Sequence, residues 1–438
     1  MSKFSSGRTD QARVKRPQRE QIEWRPSAIN ELIPADHRVR AVWDYVERLD
    51  LSPLYRNIRA VEGQPGRDAV DPRILMTLWM YATIEAIGSA RHLARLCSRD
   101  LVYIWICGGV GVNYHLLSDF RTAHGDFLDQ LLTDTIAALL HRQIVTLETV
   151  SQDGMRVRAN AGSSSFRREP TLQKCREEAA EQVRILREER ESEDHGGSGP
   201  DRKTAARERA TRERLERVDA ALKDLEELRQ QKEDRKKGTG ADARCSTTDP
   251  EARRMKMGDG GFRPAWNVQF VTDAGSRMIV GVDVTNNGSD RGQMVPRYEN
   301  VCGRYEKVPG NYLVDGGFAT KGDITALERG KTKVFAPIQQ AETMQKRGND
   351  PYARKPGDTD EMFAFRQRMA TEEAKKTYRQ RGSVAEYPNA ECRNRGMQQF
   401  RVRGREKVRA VSLLYALTFN FLRSLSLGCL SPVAMATG

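Results

Sequence analysis

Hydrophobic residues recur at helical spacing over the first third of the chain. Asp36 precedes the first such run and is predicted to cap its helix. The pair Asp71-Pro72 begins a second helix, because Asp is a good cap and Pro suits the first helical turn. The interior of this second helix is apolar on nearly all sides and is therefore predicted to be buried. The pattern predicts an all-helical domain over residues 31–143.

A short basic helix is predicted after a break at Gly88 and Ser89. Within residues 90–97 the leucines face inward, whereas Arg91 and Arg95 face outward. This arrangement is typical of a helix-turn-helix, in which Arg91 and Arg95 would contact DNA. An ordinary helical bundle with a solvated basic face fits the pattern equally well, and the sequence leaves both interpretations open.

The composition changes abruptly near residue 169. From there to about residue 239 most residues are charged, alanine or leucine, and the apolar ones step by three and four at Leu215, Val218, Leu222 and Leu225. Such a narrow apolar seam is typical of a coiled coil. We predict that residues 169–239 are an inserted pair of antiparallel helices, joined at the glycine-rich residues 195–200, whose charges form a solvated face.

Segments with the pattern of β-strands lie on both sides of that insertion. They comprise a strand that carries Asp153, a β-hairpin, a strand that carries Asp315 and one more strand, at residues 145–157, 265–285, 312–315 and 332–337. Helices are predicted at residues 293–305, 321–329, 362–380, 384–393 and 405–425. This order predicts an α/β domain with a mixed sheet and helices on both faces, over residues 144–168 and 240–425. Residues 1–30 are predicted to be a flexible basic arm and residues 426–438 a tail.

The chain of 438 residues has a net charge of +13, which favours an anionic partner, with nucleic acid the first candidate. Its seven cysteines are scattered and form no C-x-x-C pair, which argues against a zinc knuckle and against a disulfide framework. No apolar run approaches the roughly 20 residues that span a bilayer, and the first residues lack the apolar core of a secretion signal. We therefore expect no membrane partner and a reducing cytoplasm.

Three carboxylates are candidates for metal chemistry. Asp153 and Asp315 each end an apolar strand and each precede a glycine, and Glu386 lies in a later helical stretch. Phosphodiester cleavage by two metals needs acidic oxygens that hold hard cations about 3.5–4 Å apart, and Mg²⁺ needs few protein carboxylates. Taken singly, each aspartate is equally well explained as a turn residue at the end of a strand. The glycines are predicted to let a phosphate backbone approach.

A tyrosine and an arginine precede the third acid, as Tyr378 and Arg381 before Glu386, and a basic run follows it. The run includes Arg393, Arg395, Arg401, Arg403, Arg405 and Lys407. This density of positive charge suits contacts with phosphates, which supply affinity and register without reading bases. A basic surface helix explains the charge but not the spacing of the tyrosine, the arginine and the glutamate.

These motifs resemble the insertion-sequence transposases of the DDE class that carry a Tyr-Arg-Glu-Lys signature. The resemblance rests on Gln152-Asp153-Gly, Val314-Asp315-Gly-Gly, Tyr378-x-x-Arg381 with Glu386, and Ala416-Leu-Thr-Phe-Asn420. It implies a ribonuclease H-like catalytic domain in which Asp153, Asp315 and Glu386 bind Mg²⁺ or Mn²⁺, with two ions expected. The lysine of the signature falls at Arg393, which keeps the charge but not the compact ammonium group.

The resemblance further implies an enzyme of the bacterial cytoplasm that cuts double-stranded DNA at its element's terminal inverted repeats. It would then join the free 3′-hydroxyl to target DNA, and a homodimer is expected because two ends are handled together. Two alternatives stay open at this point. One is an inactive relic that only binds DNA, and the other is a ribonuclease H-like nuclease that cuts without joining.

Overall fold

The computed structural model describes residues 28–60, 68–193, 202–234 and 240–429. Most of the predicted basic arm, the predicted turn at residues 195–200 and most of the predicted tail lie outside the described residues. Within the described part of the chain, no helix is both long enough and apolar enough to cross a membrane.

The N-terminal third is helical, as predicted. Its helices are α1 (Arg38–Glu47), α2 (Ser52–Arg56), α3 (Pro72–Ile84), α4 (Ala90–Leu96), α5 (Leu101–Cys107), α6 (Tyr114–Ala123) and α7 (Gly125–His141). Asp71 caps α3 by accepting a hydrogen bond from the backbone N–H of Arg73, and α3 is buried along its whole length. The predicted cap of α1 was wrong by one residue. His37 caps that helix, because its Nδ1 accepts from the backbone N–H of Val39 at 3.3 Å.

Two long helices follow the first strand, β1 (Thr149–Arg158). They are α8 (Glu169–Glu193) and α9 (Arg202–Asp234), and they run antiparallel, since Arg176 pairs with Asp219 and Arg190 with Glu208. Their base has a small apolar cluster of its own, separate from the main core, formed by Leu172, Ala221, Leu225, Ala243 and Cys245. The coiled-coil interpretation of this pair stays a prediction.

The remaining strands are β2 (Phe166–Arg167), β3 (Cys245–Ser246), β4 (Arg253–Lys256), β5 (Phe262–Asp273), β6 (Ile279–Thr285), β7 (Asn311–Leu313) and β8 (Lys333–Phe335). Strand β1 is central: β5 pairs with it antiparallel, β7 pairs with it parallel, and β8 extends the sheet beyond β7. Strands β6 and β4 both pair with the far side of β5, and β2 and β3 form a separate small sheet. This mixed sheet is compatible with a ribonuclease H-like domain. The sequence analysis did not predict β2, β3 or β4.

The later helices are α10 (Met294–Tyr305), α11 (Lys321–Arg329), α12 (Ala341–Lys346), α13 (Asp360–Ala370), α14 (Glu372–Arg381), α15 (Tyr387–Asn394) and α16 (Arg405–Ser426). Two details of the prediction were wrong. Helix α12 lies in a segment expected to be a loop. The helix expected over residues 362–380 is two helices, because Thr371 ends the first and its side chain caps the second. Helix α16 is largely buried and packs on α3, α6, α7 and β6, so it joins the helical bundle to the sheet.

Candidate active site

Asp153 lies in the middle of the central strand, at the point where one edge of that strand becomes free. Strand β1 pairs with β7 only as far as Ser151, whereas it pairs with β5 through to Arg158. Asp315 follows β7 by two residues. Because β1 and β7 are parallel, their carboxyl ends meet at the same edge of the sheet. The two aspartates therefore come together although 162 positions separate them in the sequence.

Arg381, the last residue of α14, lies between the two aspartates. Its Nη2 is 3.2 Å from Oδ1 of Asp153 and 3.9 Å from Oδ2 of Asp315. The arginine is half-buried, with a side chain that is 13% exposed, so solvent screens these interactions only weakly. One guanidinium group thus compensates two carboxylates that would otherwise repel each other.

Asn389, in α15, contacts Asp153 from the same helical segment, and the sequence analysis missed it. Its Nδ2 donates a 2.9 Å hydrogen bond to Oδ2 of Asp153. Its Oδ1 is buried and accepts no hydrogen bond from any described residue. No sequence signal short of a structural alignment marks this asparagine, since its role depends on a contact across the fold.

Glu386 ends a π-helical turn, Gly382–Glu386, that packs against β1 and β5 between α14 and α15. Pro388 explains this widened turn, because it has no N–H to donate and its ring would clash with the carbonyl four residues earlier. The Glu386 side chain is exposed. Among the described residues, no three His, Cys, Asp or Glu side chains lie close enough together to hold a metal ion. The structure therefore brings Asp153 and Asp315 together at Arg381, and the role of Glu386 as a third metal ligand stays a prediction.

Burial raises the pKa of Asp153 to about 6, and the nearby Asp315 and Asp290 add to the rise while Arg381 opposes it. Burial likewise raises the pKa of Tyr378, whose ring lies within the electrostatic reach of Arg381 and both aspartates. The tyrosine and the arginine predicted from the signature are therefore both at this site. A strongly perturbed carboxylate in contact with specific charged partners is typical of functional sites.

Gly154 is packed against polar side chains on the far side of β1 from Asp153. A Cβ at this position would overlap Oδ1 of Asp290 and lie 2.6 Å from Nε2 of Gln269. Asp290 in turn accepts hydrogen bonds from Asn267 and Gln269, at 2.7 and 2.9 Å. The glycine is thus required by side-chain packing, whereas the sequence analysis had attributed it to an approaching phosphate. Asp290 is a second residue that the sequence analysis missed.

Two segments of the chain match known protein families. Residues 27–123 match a family described as a transposase domain, and residues 343–425 match a transposase DDE domain. The two matches support an insertion-sequence DDE transposase. Tyr378, Arg381, Glu386 and Asn389 lie inside the DDE match, whereas Asp153 and Asp315 lie in the stretch between the two matches. No curated protein and no solved structure matches the chain significantly.

The basic run after Glu386 contains both arginines that are held by protein groups and residues that are exposed. Arg395 and Arg405 are held by protein groups, since Arg395 donates to the Ile84 carbonyl and pairs with Glu391, and Arg405 donates to the Val284 carbonyl. Arg403 makes a longer contact of 3.4 Å with the carbonyl of Asn160. The others expected to contact DNA are exposed: Arg393, Arg401, Lys407, Arg91, whose guanidinium stacks on Tyr114, and Arg95.

The oxygen donors at this site fit a hard divalent cation. Asp153 and Asp315 supply carboxylate oxygens that already share one positive group, Arg381. The unpartnered Oδ1 of Asn389 is a further oxygen donor beside them. Oxygen ligands of this kind are those that Mg²⁺ prefers.

Proposed function

We propose that this chain is a DNA transposase that cuts DNA strands at the ends of its element and joins the freed 3′-hydroxyl to target DNA. The observation that carries the proposal is the convergence of Asp153 and Asp315 on Arg381, whose helical segment lies within the matched DDE domain. Two element ends have to be processed together, so we expect a homodimer acting on double-stranded DNA.

In this proposal Asp153, Asp315 and Glu386 hold Mg²⁺ or Mn²⁺, with Asn389 beside them. The bound cation would activate the attacking oxygen and stabilise the leaving oxygen. The half-buried carboxylate of Asp153 must be ionised to bind a cation, and Arg381 favours that ionised form. The Arg381 guanidinium can also form an ion pair with the phosphate of the scissile strand. It would then orient the strand while it compensates the charge of the two aspartates. Asn389 fixes the rotamer of Asp153 through the bond to Oδ2.

Strand cleavage on DNA that carries the gene's own flanking sequence tests the proposal. The wild-type chain, Asp153→Asn and Asp315→Asn are incubated with Mg²⁺, Mn²⁺ or EDTA. The matched control is Asp360→Asn, an aspartate whose side chain is 90% exposed. We expect nicks at fixed positions that need metal, that the control retains and that both site variants lose.

Two outcomes would replace the proposal with its alternatives. DNA binding without a nick in either metal would favour a relic that only binds DNA. Nicks without joined products would favour a nuclease that lacks strand transfer. Replacement of both Arg401 and Arg403 by Gln should also weaken DNA binding and flatten its salt dependence. An unchanged salt dependence would show that Arg401 and Arg403 do not contact DNA.

A further inference from the structure

A cavity of about 410 Å³ lies where the helical bundle meets the segment after α15. Its walls come from three parts of the chain: α3 and α6, the end of β1, and residues 393–401 with α16. Its lining includes Trp79, Arg121, Arg158, Arg393, Arg401 and Tyr415. None of the described residues that line it carries a carboxylate.

Arg121 is the buried member of this group, since only 7% of the residue is exposed. Its guanidinium stacks on the Trp79 ring at 4.5 Å, and Nη1 donates to the carbonyl of Gly88 at 2.6 Å. Its buried Nε has no hydrogen-bond partner among the described residues. Burial lowers the pKa of Arg121 to about 10, and nearby Arg401 contributes to the decrease. A buried cation without a counter-ion is costly, so an anion that entered the cavity would be bound strongly.

A second cavity, of about 430 Å³, leads from this one toward the catalytic strand. Both cavities are lined by Arg158, Arg393 and Gln398, and the second also reaches Arg156 and Gly154. Gly154 follows Asp153 directly in β1. The five steps from Asp153 to Arg158 span roughly 17 Å of strand. Successive side chains of a strand point to opposite faces, so this second cavity lies on the face of β1 opposite the Asp153 side chain, and Asp259 lines it beside the arginines.

We propose that the Arg121 cavity binds a phosphate group of the DNA backbone where the helical bundle meets the segment after α15. A guanidinium group can donate two parallel hydrogen bonds to the oxygens of one phosphate. Four guanidinium groups line this cavity, and no carboxylate lines it to compete with a phosphate. Arg121 belongs to the first matched segment, and Arg393 and Arg401 belong to the second. The site therefore needs both segments, and the phosphate would fix the helical bundle relative to the catalytic sheet. The choice of DNA as ligand rests on the proposed function.

The test uses the full chain in EDTA, so that it does not depend on cleavage. The probes are inorganic phosphate and a duplex oligonucleotide of the flanking sequence. Binding is measured for the wild type, Arg121→Gln, Arg158→Gln and Arg401→Gln over a range of salt concentrations. Lys307→Gln is the control, because Lys307 is exposed and precedes β7, at the opposite end of that strand from Asp315.

We expect each of the three arginine variants to bind the duplex at least 5-fold more weakly, with a salt slope shallower by about 0.9. The control should match the wild type. Gly88→Leu adds a steric test without a change of charge, since a Cβ at Gly88 would point at Arg401 from 3.5 Å. It should weaken duplex binding by a similar factor.

Wild-type affinity in Arg158→Gln, Arg401→Gln and Gly88→Leu would overturn the proposal, even if Arg121→Gln failed to fold. Phosphate binding that Arg121→Gln abolishes, with duplex binding unchanged, would overturn the proposal that the ligand is DNA and leave a site for a free anion. The two proposals fail separately. If the chain binds DNA at this cavity but never cuts it, the phosphate-site proposal stands and the proposed function fails. If the arginine variants bind and cut DNA normally, only the phosphate-site proposal fails.

Discussion

The side-chain amide of Asn389 donates a 2.9 Å hydrogen bond to Oδ2 of Asp153, although 236 positions separate the two residues. The bond joins the matched DDE segment to the central strand outside it. A partner that orients a metal-ligating carboxylate acts on metal affinity as well as on rate.

Replacement of Asn389 by Ala should therefore lower strand cleavage about 10- to 100-fold and raise the Mg²⁺ concentration needed for half-maximal rate. The fold should persist, as circular dichroism can verify. Asn349→Ala, at an exposed asparagine near α12, serves as the control. Wild-type cleavage and an unchanged Mg²⁺ requirement in Asn389→Ala would show that this bond is incidental.

Replacement of Arg381 by Gln should destabilise the metal-free protein by about 2 kcal/mol, because Asp153 would stay half-buried beside Asp315 with no compensating charge. Mg²⁺ should restore more stability in this variant than in the wild type, since the cation would take over that compensation. Thermal unfolding with EDTA and with Mg²⁺ measures both effects. Arg379→Gln, on the exposed side of the same helix, is the matched control. Equal Mg²⁺ effects in all three proteins would contradict the prediction.

Asp358 is buried and contacts both Lys321 and Arg366 at 2.8 Å. Burial alone would raise its pKa, but the hydrogen bonds from Lys321 and Arg366 outweigh burial and lower the pKa. Its stabilising contribution is therefore lost as the pH falls through the lowered pKa. Asp358→Ala should cost about 3–5 kcal/mol, because it leaves the buried Arg366 without a carboxylate to balance its charge. In denaturant unfolding, Asp360→Asn should change the free energy by less than about 1 kcal/mol. Similar losses in the two variants would refute this account.

The pKa of Asp249 shifts in the opposite direction to that of Asp358. Burial raises its pKa to about 6 from 3.8, although Gly404 and Trp266 donate hydrogen bonds to it. The stability that this raised pKa contributes is complete below pH 3.8 and is lost as the pH rises through 6. Relative to Asp249→Asn, the wild type should lose about 3 kcal/mol of unfolding free energy across that interval. Denaturant titrations at several pH values measure the unfolding free energy of both proteins. If the pKa shift were absent, the two free energies would change with pH in parallel.

Removal of residues 171–237, with a short Gly-Ser link in their place, should leave the main domain folded. The pair α8 and α9 has its own apolar cluster, and β2 and β3 hold the two ends of the excursion together. The main loss is the ion pair between Arg253 and Asp224, which costs about 1 kcal/mol. Circular dichroism and thermal unfolding test this expectation. An unfolded product would mean that the arm is part of the main core.

Local patterns in the sequence were sufficient to predict most of the elements, but not β2, β3, β4 or α12. The cap and proline of α3, the apolar run of β1 and the span of α11 depend on neighbouring residues, and the structure confirms each of them. The sequence also predicted that the strands carrying Asp153 and Asp315 lie side by side, because a strand order can be inferred from the order of elements. The family matches confirm the class of protein that these motifs indicated.

Only the tertiary structure identified the partners of those acids. Asn389, Asp290 and Arg121 carry no local signature, since each acts through a side chain that is distant in sequence and near in space. The π-helical turn that ends at Glu386 is also a tertiary fact. Secondary structure follows from short-range sterics and capping, which a sequence displays directly. Burial, charge compensation and unpartnered atoms arise only when distant segments pack, and those properties distinguish the site from any other strand end.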